Sequence, residues 1–203
     1  MKSFIVAISG ASGSIYGIKL VKELIRTEAA VHLCISDQAV SIIRAETGID
    51  LSGINLLETE DKIRKHFKSE TIRYYSNGNL AAPISSGSYK TDGMFVVPCS
   101  MKTLAGIANG YASNLIERAA DVVMKEGRSL IISPREMPFN TIHLENMLKL
   151  SKMGVTIAPP IPAFYQRPEN VEHIIEFVTG KLLDSAGIEN SLFKRWDGVM
   201  NQD

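Results

Sequence analysis

Short runs of apolar, β-branched residues recur along this chain, and nearly every run is followed by a stretch whose apolar residues keep helical spacing. Ser3–Ser9 (SFIVAIS) precedes Ser14–Arg26, where Ile15, Ile18, Val21, Leu24 and Ile25 share one helix face. Ala30–Ser36 (AVHLCIS) precedes a helical pattern over Gln38–Glu46. Met94–Pro98 precedes helices over Ser100–Ala108 and Asn114–Lys125, and Ser129–Ser133 precedes Thr141–Met153. Val155–Ala158 precedes Asn170–Leu183. Strands that alternate with helices pair in parallel, with crossover helices covering both faces. The strands are apolar almost throughout, as strands buried on both sides must be. This pattern predicts a three-layer α/β/α, Rossmann-like parallel sheet. Residues 1–203 form one domain, with a tail from about 187 to 203 expected to dock on the body or on a neighbouring subunit. The region 47–88 is less regular. It holds a charged helix (LLETEDKIRKHF), a weak strand (TIRYY) and the turn-rich NGNLAAPISSGSY.

Lys+Arg and Asp+Glu number 22 each, so the formal net charge is zero and any anion site must come from local placement of charge. Neither nucleic-acid binding nor an electrostatic membrane anchor is expected. No apolar run approaches the roughly 20 residues of a membrane span, and the N-terminus lacks the pattern of a secretory leader, so the cytoplasm is the expected location. Cys34 and Cys99 both lie in apolar runs and read as buried free thiols.

In a sheet of this kind ligands sit at the carboxyl ends of the strands. Four strand-to-helix junctions carry unusual residues there. The first is Ser9–Gly17 (SGASGSIYG), whose glycines at 10, 13 and 17 depart from the dinucleotide-binding spacing. Alone, it admits a phosphate cradle at a helix start or a turn with no ligand. Ser36-Asp37 forms the second junction. The third, Pro98-Cys99-Ser100-Met101-Lys102-Thr103, repeats hydroxyls around a cation at a helix start. Two hydroxyl-rich starts on one edge favour a shared ligand over two independent caps. The fourth sets Arg135 and Glu136 between Pro134 and Pro138, where Arg suits a phosphate or a polar ring edge and Glu can exchange a proton. The helix over Asn114–Lys125 holds Glu117, Arg118, Asp121 and Lys125, and spacings of three and four put Arg118 and Lys125 on one face with Asp121, as a solvated ion-pair face or a second cationic pocket. Pro159–Tyr165 (PPIPAFY) reads as a stiff apolar wall ending in a phenol, and Trp196 as a docking residue of the tail. Zinc spacing, a nucleophile elbow, a Walker lysine loop and an acidic magnesium cluster are all missing from the sequence.

GASGSIYG, PCSMKTLAGIANGY, NLIERAADVVMKEGR, PREMPFNTIHLENMLKL and PPIPAFYQRP, in this order, resemble the flavin prenyltransferase family of the ubiquinone pathway, to which phenylacrylic acid decarboxylase-associated proteins also belong. The resemblance covers nearly the whole chain and is weakest over residues 50–80. It implies a homo-oligomeric flavoprotein, a dodecamer whose sites lie at subunit junctions. The implied reaction moves a dimethylallyl group from dimethylallyl phosphate to N5 and C6 of reduced FMN, without metal. The product, prenylated FMN, would serve a partner decarboxylase. By motif, Gly10, Ala11, Ser12, Ser36, Ser100, Met101, Lys102, Thr103 and Arg135 are implied to bind FMN. Tyr165 and Lys181 are implied prenyl-phosphate ligands, with Ser86, Arg118, Lys125 and Glu136 completing the phosphate pocket. Some members carry Arg where this chain has Lys181, and lysine lacks the bidentate fork. Glu46 matches a glutamate near the flavin. Catalytic roles are expected for Ser12, Glu46 and Glu136: Glu136 as proton donor to the leaving phosphate, Glu46 and Ser12 in positioning N5 or handling the proton lost from C6. An FMN-dependent oxidative decarboxylase of the same fold group and a non-catalytic flavin-binding protein are the alternatives.

Overall fold

Strands β1 (Ser3–Ile8), β2 (Ala30–Ile35), β3 (Ile72–Ser76), β4 (Gly93–Cys99), β5 (Ser129–Pro134) and β6 (Thr156–Ile157) form one sheet in the order β3-β2-β1-β4-β5-β6, every pair parallel. The computed structural model describes residues 1–196 and 198. The helices are α1 (Ser14–Arg26), α2 (Asp37–Thr47), α3 (Leu56–Phe67), α4 (Met101–Ala108), α5 (Leu115–Lys125), α6 (Thr141–Lys152) and α7 (Val171–Ser185). Alternate side chains of each strand enter opposite layers. Phe4, Val6 and Ile8 of β1 pack with α1, α2, α3 and α7. Ile5 and Ala7 pack with α4, α5, α6 and the short 3₁₀ turn at Pro83–Ser85. The expected three-layer architecture is therefore present, and its strand order reverses direction between β1 and β4.

Each glycine of the first junction has a separate steric reason. A Cβ on Gly10 would lie 2.9 Å from Gln38 Cβ, so glycine lets the chain leave β1 against the first turn of α2. Gly13 caps α1 in the left-handed region, at φ +90°. A Cβ on Gly17 would lie 2.4 Å from the Val97 carbonyl oxygen, so glycine lets α1 lie close on β4.

The structure differs from the sequence reading at several ends. Ser100, Asn114 and Asn170 cap their helices instead of opening the first turn, each accepting a backbone N–H from three residues ahead. β6 is two residues long, not four, because it pairs only with β5 and runs into Pro159 and Pro160, which cannot donate to a ladder. Cys34 and Cys99 are buried and unpaired, and burial pushes both thiols far above their ordinary range. The expected tail reaches Trp196 within the described residues. Phe193 meets Phe177 edge-on with ring centroids 5.0 Å apart, and the part of the tail at Asp197 and 199–203 lies outside the described residues.

Candidate active site

At the strand carboxyl edge, beside the point where strand order reverses, lies a cleft of about 240 Å³. Gly10 after β1, Ser36 and Gln38 after β2, and Asn77 after β3 line one side; Ser100, Lys102 and Thr103 after β4, with Asn114, Ile116 and Glu117 of α5, line the other. Helices α2, α4 and α5 all begin here. Ser36 Oγ accepts from Ala39 N–H at 3.3 Å, Ser100 Oγ from Thr103 N–H at 3.3 Å, and Asn114 Oδ1 from Glu117 N–H at 3.1 Å. Helix N-termini carry partial positive charge, so their convergence favours an anion. A larger hollow of about 720 Å³ lies where β1 begins and α1 ends, lined by Met1, Lys2, Phe4, Thr27 and Glu28 among others. It faces a helix C-terminus, which repels anions.

The start of α1 behaves differently from the other three. It has no side-chain cap of its own and no acidic residue in its first turn. Glu46, from the last turn of α2, fills that place. Its Oε2 accepts the Ser14 N–H at 2.9 Å and the Ser14 hydroxyl at 2.7 Å, and both carboxylate oxygens lie 3.1 Å from Gly13 N. Burial pushes the Glu46 carboxyl upward, but hydrogen bonds from the Ser12 and Ser14 hydroxyls and from the Ser14 and Gly13 N–H groups outweigh it and hold the pKa below the ordinary value. The loop therefore cradles an anion, and that anion is the chain's own carboxylate. Of its residues Gly10 faces the cleft, Ala11 is buried with its N–H on the Ser9 carbonyl, and Ser12 is exposed beside Glu46.

Ser100 donates its hydroxyl to Thr103 Oγ1 at 3.1 Å, and Met101 packs into the core behind. Arg135 leaves β5 with its N–H on the Cys99 carbonyl, and its Nε is buried without a protein partner. Arg135 does not line the cleft, but its backbone bond to Cys99 sets it next in the sheet to the Ser100 helix start, and an unpartnered guanidinium nitrogen is a donor of the kind that a phosphorylated, polar-ringed ligand such as FMN uses. Glu136 is exposed, and its carboxylate accepts the Met137 N–H at 3.1 Å.

The residues implied for the prenyl phosphate separate into two groups within one chain. Ser86, Arg118 and Lys125 lie on the α4–α5 side. Arg118 Nε donates to the Ser85 carbonyl at 3.1 Å and Nη1 pairs with Asp121 at 3.0 Å; Lys125 pairs with Glu126 at 2.7 Å; Ser86 Oγ lies 2.9 Å from Ser88 Oγ. Tyr165 and Lys181 lie on the α1–α7 side. Lys181 stands at a hollow of about 210 Å³ walled by Ala158, Pro159, Ile161, Phe177 and Leu182, and Tyr165 meets Phe177 edge-on with centroids 6.1 Å apart.

Sequence reasoning missed Gln38, Asn77, Asn114 and Glu117 as cleft residues. Asn77 Oδ1 accepts the Ile116 N–H at 3.1 Å and faces the Cys34 thiol at 3.7 Å, while its backbone carbonyl accepts the Leu115 N–H at 2.8 Å. With Oδ1 so fixed, the amide NH₂ is left as a donor at the cleft. Glu117 is 4% exposed and accepts both the N–H and the hydroxyl of Ser113, at 2.9 and 2.7 Å.

Comparison with known proteins agrees with this geometry. The flavoprotein family model matches residues 1–184. A flavin prenyltransferase UbiX of Methanocaldococcus jannaschii is 53% identical over 195 residues, covering 96% of this chain and 98% of the relative. The chain belongs to the flavin prenyltransferase family. Two solved members of related sequence superpose along its length. AnUbiX (PadA1), in complex with FMN and dimethylallyl pyrophosphate, has a TM-score of 0.88 at 38% identity, over 98% of each chain. A dodecameric FMN-dependent UbiX-like decarboxylase from Escherichia coli O157:H7 has a TM-score of 0.86 at 45% identity, over 97% of this chain and 100% of the other. No group of three or more His, Cys, Asp or Glu suited to a metal ion occurs among the described residues. No helix among them is long and apolar enough to cross a membrane.

Proposed function

We propose that this chain transfers a dimethylallyl group from dimethylallyl monophosphate to N5 and C6 of reduced FMN, and that the prenylated FMN passes to a partner decarboxylase. The observation that carries the proposal is the cleft at the strand-order reversal, with three capped helix starts converging on it in a chain of this family. Ser36, Ser100, Thr103 and the Gly10 backbone would hold FMN, with the open Nε of Arg135 as a further donor. Bound there, reduced FMN supplies the nucleophilic nitrogen and carbon.

An allylic monophosphate leaves poorly unless its growing charge is met. In this reading Arg118, Lys125 and Lys181 supply that positive charge in place of a metal. The wall of Ala158, Pro159, Ile161 and Phe177 keeps water from the cationic allyl group. Glu136 carries the proton to the leaving phosphate. Glu46, tied to the start of α1 by its hydrogen bonds and bonded to the Ser12 hydroxyl, would act with Ser12, positioning N5 or handling the proton lost from C6. Because the two cation groups lie in opposite layers of one chain, the complete site joins two subunits of a homo-oligomer, of the dodecameric kind seen in the Escherichia coli relative. We place the enzyme in the cytoplasm.

An oxidative decarboxylase would want a histidine base at the flavin, and none of His32, His66, His143 or His173 lines the cleft. The deciding experiment is anaerobic incubation with reduced FMN and dimethylallyl phosphate, followed by mass analysis of the released flavin. A prenyl adduct is expected. Bound FMN that comes off unchanged in mass would refute the proposal.

A further inference from the structure

Asp184, in the last turn of α7, lies between two cations. Its side chain is 23% exposed; that of Lys181, one turn earlier, is 57% exposed and ends 3.9 Å from Asp184 Oδ2. Arg195 of the tail reaches the carboxylate from the other side. Its Nη1 donates to Oδ2 at 2.5 Å and its Nη2 to Oδ1 at 2.8 Å. Asn190 Nδ2 donates to Oδ1 at 2.9 Å, and Arg195 Nη2 donates also to the Asn190 carbonyl at 3.1 Å. The guanidinium lies over the Phe193 ring, 4.5 Å from its centroid. A two-pronged fork fixes the plane of a carboxylate in a way that a single ammonium cannot. Its effect is visible in the carboxyl itself, which the Arg195 hydrogen bond above all holds below the ordinary value.

Without Arg195, an ammonium on a flexible stem three residues away on the same helix would close on Asp184, as opposite charges at that spacing do. A lysine so paired has little charge left for a phosphate. With the fork in place, Lys181 stands beyond hydrogen-bond distance and at the mouth of the apolar hollow. We propose that Arg195 is a positioning residue for prenyl-phosphate binding: by occupying both oxygens of Asp184 it keeps Lys181 available to the phosphate. The inference rests on Lys181 being a phosphate ligand, as argued under the proposed function.

The tail has other anchors, so the fork can be removed alone. Phe193 packs on Phe177, Gln166 Nε2 donates to the Lys194 carbonyl at 3.1 Å, and Trp196 meets Tyr165 edge-on with centroids 5.9 Å apart. The test compares steady-state constants for dimethylallyl monophosphate, at saturating reduced FMN, among Arg195→Met, Lys181→Met and the double variant Arg195→Met with Asp184→Asn. Arg195→Met is expected to lower kcat/KM about three- to five-fold, the scale of one exposed ion pair. Adding Asp184→Asn is expected to bring kcat/KM back, because the neutral amide no longer draws Lys181 away. If the fork only secured the tail, the double variant would be no better than the single one, and that result overturns the inference. An unchanged kcat/KM in Arg195→Met overturns it as well. Lys181→Met separates the two levels. If it leaves kcat/KM unchanged, Lys181 is no phosphate ligand and both statements fall. If it lowers kcat/KM while Arg195→Met does not, only the inference about Arg195 falls. FMN binding, read by flavin fluorescence, confirms in each variant that the cleft is folded.

Discussion

Gly13 and Ser14 give their N–H groups to Glu46, so one side chain settles the charge at the start of α1. Replacing it with alanine removes the cap and is expected to cost about 1 kcal/mol of stability, or about 2–4 °C in Tm. Glu46→Gln should cost less, because the amide still accepts. The two proteins should differ least in acid. In the folded chain the Glu46 carboxyl titrates below its ordinary 4.5, whereas in the unfolded chain it titrates near that value. Its stabilisation is therefore complete above the ordinary value and lost as the pH falls through the lower folded one. Urea midpoints measured from neutral to acid pH should show the gap between wild type and Glu46→Gln closing over that interval. A constant gap would mean that the charge contributes nothing. Asn77 allows a cleaner separation of fold from binding. Asn77→Asp keeps an acceptor for the Ile116 N–H and places negative charge at a helix start, so stability should hold or rise. The donor at the cleft is lost, and FMN affinity should fall about tenfold, the scale of one hydrogen bond to a charged group. Titration of FMN into both proteins checks this.

Between β3 and β4 the chain crosses back over the sheet without an α-helix. Residues 77–92 lie as a strap held by α5 and the residues after it. Arg128 donates from Nη2 to the Gly87 carbonyl at 2.7 Å and from Nη1 to the Tyr89 carbonyl at 2.9 Å, and Arg118 takes the Ser85 carbonyl. Arg128→Ala should cost about 1–2 kcal/mol, and hydrogen exchange should rise over this strap while the β1 and β4 amides stay protected. Uniform loss of protection would argue against a local role. The same region shows where sequence reading weakens. β1, β2, β4 and β5 were legible because burial on both faces forces continuous apolar runs. β3 and β6 are edges with one partner each, and so need less apolar sequence. Residues that meet across the fold left no local pattern at all. Nothing around Asn77 tells that it caps α5, and nothing around Glu46 tells that it caps α1. The hydroxyls at 36, 100 and 103 were legible because helix starts are written in neighbouring residues. The caps supplied from a distance were not.

The sheet divides the residues that would hold the prenyl phosphate. Ser86, Arg118 and Lys125 belong to the layer of α4 and α5, whereas Tyr165 and Lys181 belong to the layer of α1 and α7. If one phosphate meets both groups, it meets them on two chains, and each subunit lends one half of the site to a neighbour. This has a consequence that a site within one chain cannot imitate. If both lysines hold the phosphate as proposed, Lys125→Met and Lys181→Met should each lower kcat/KM at least about tenfold, the scale of a lost charged partner. In a random mixture of the two variants within one oligomer, about one quarter of the sites would combine an intact Lys125 from one chain with an intact Lys181 from another. Co-expression with two tags, tandem purification and assay for prenylated FMN should therefore recover about a quarter of wild-type turnover. Were both lysines to act from the same chain, every site would lack one of them and the mixture would stay as inactive as its parents. Recovery that depends on co-assembly, and is absent when the purified variants are only mixed in the tube without subunit exchange, would place the reacting phosphate between subunits.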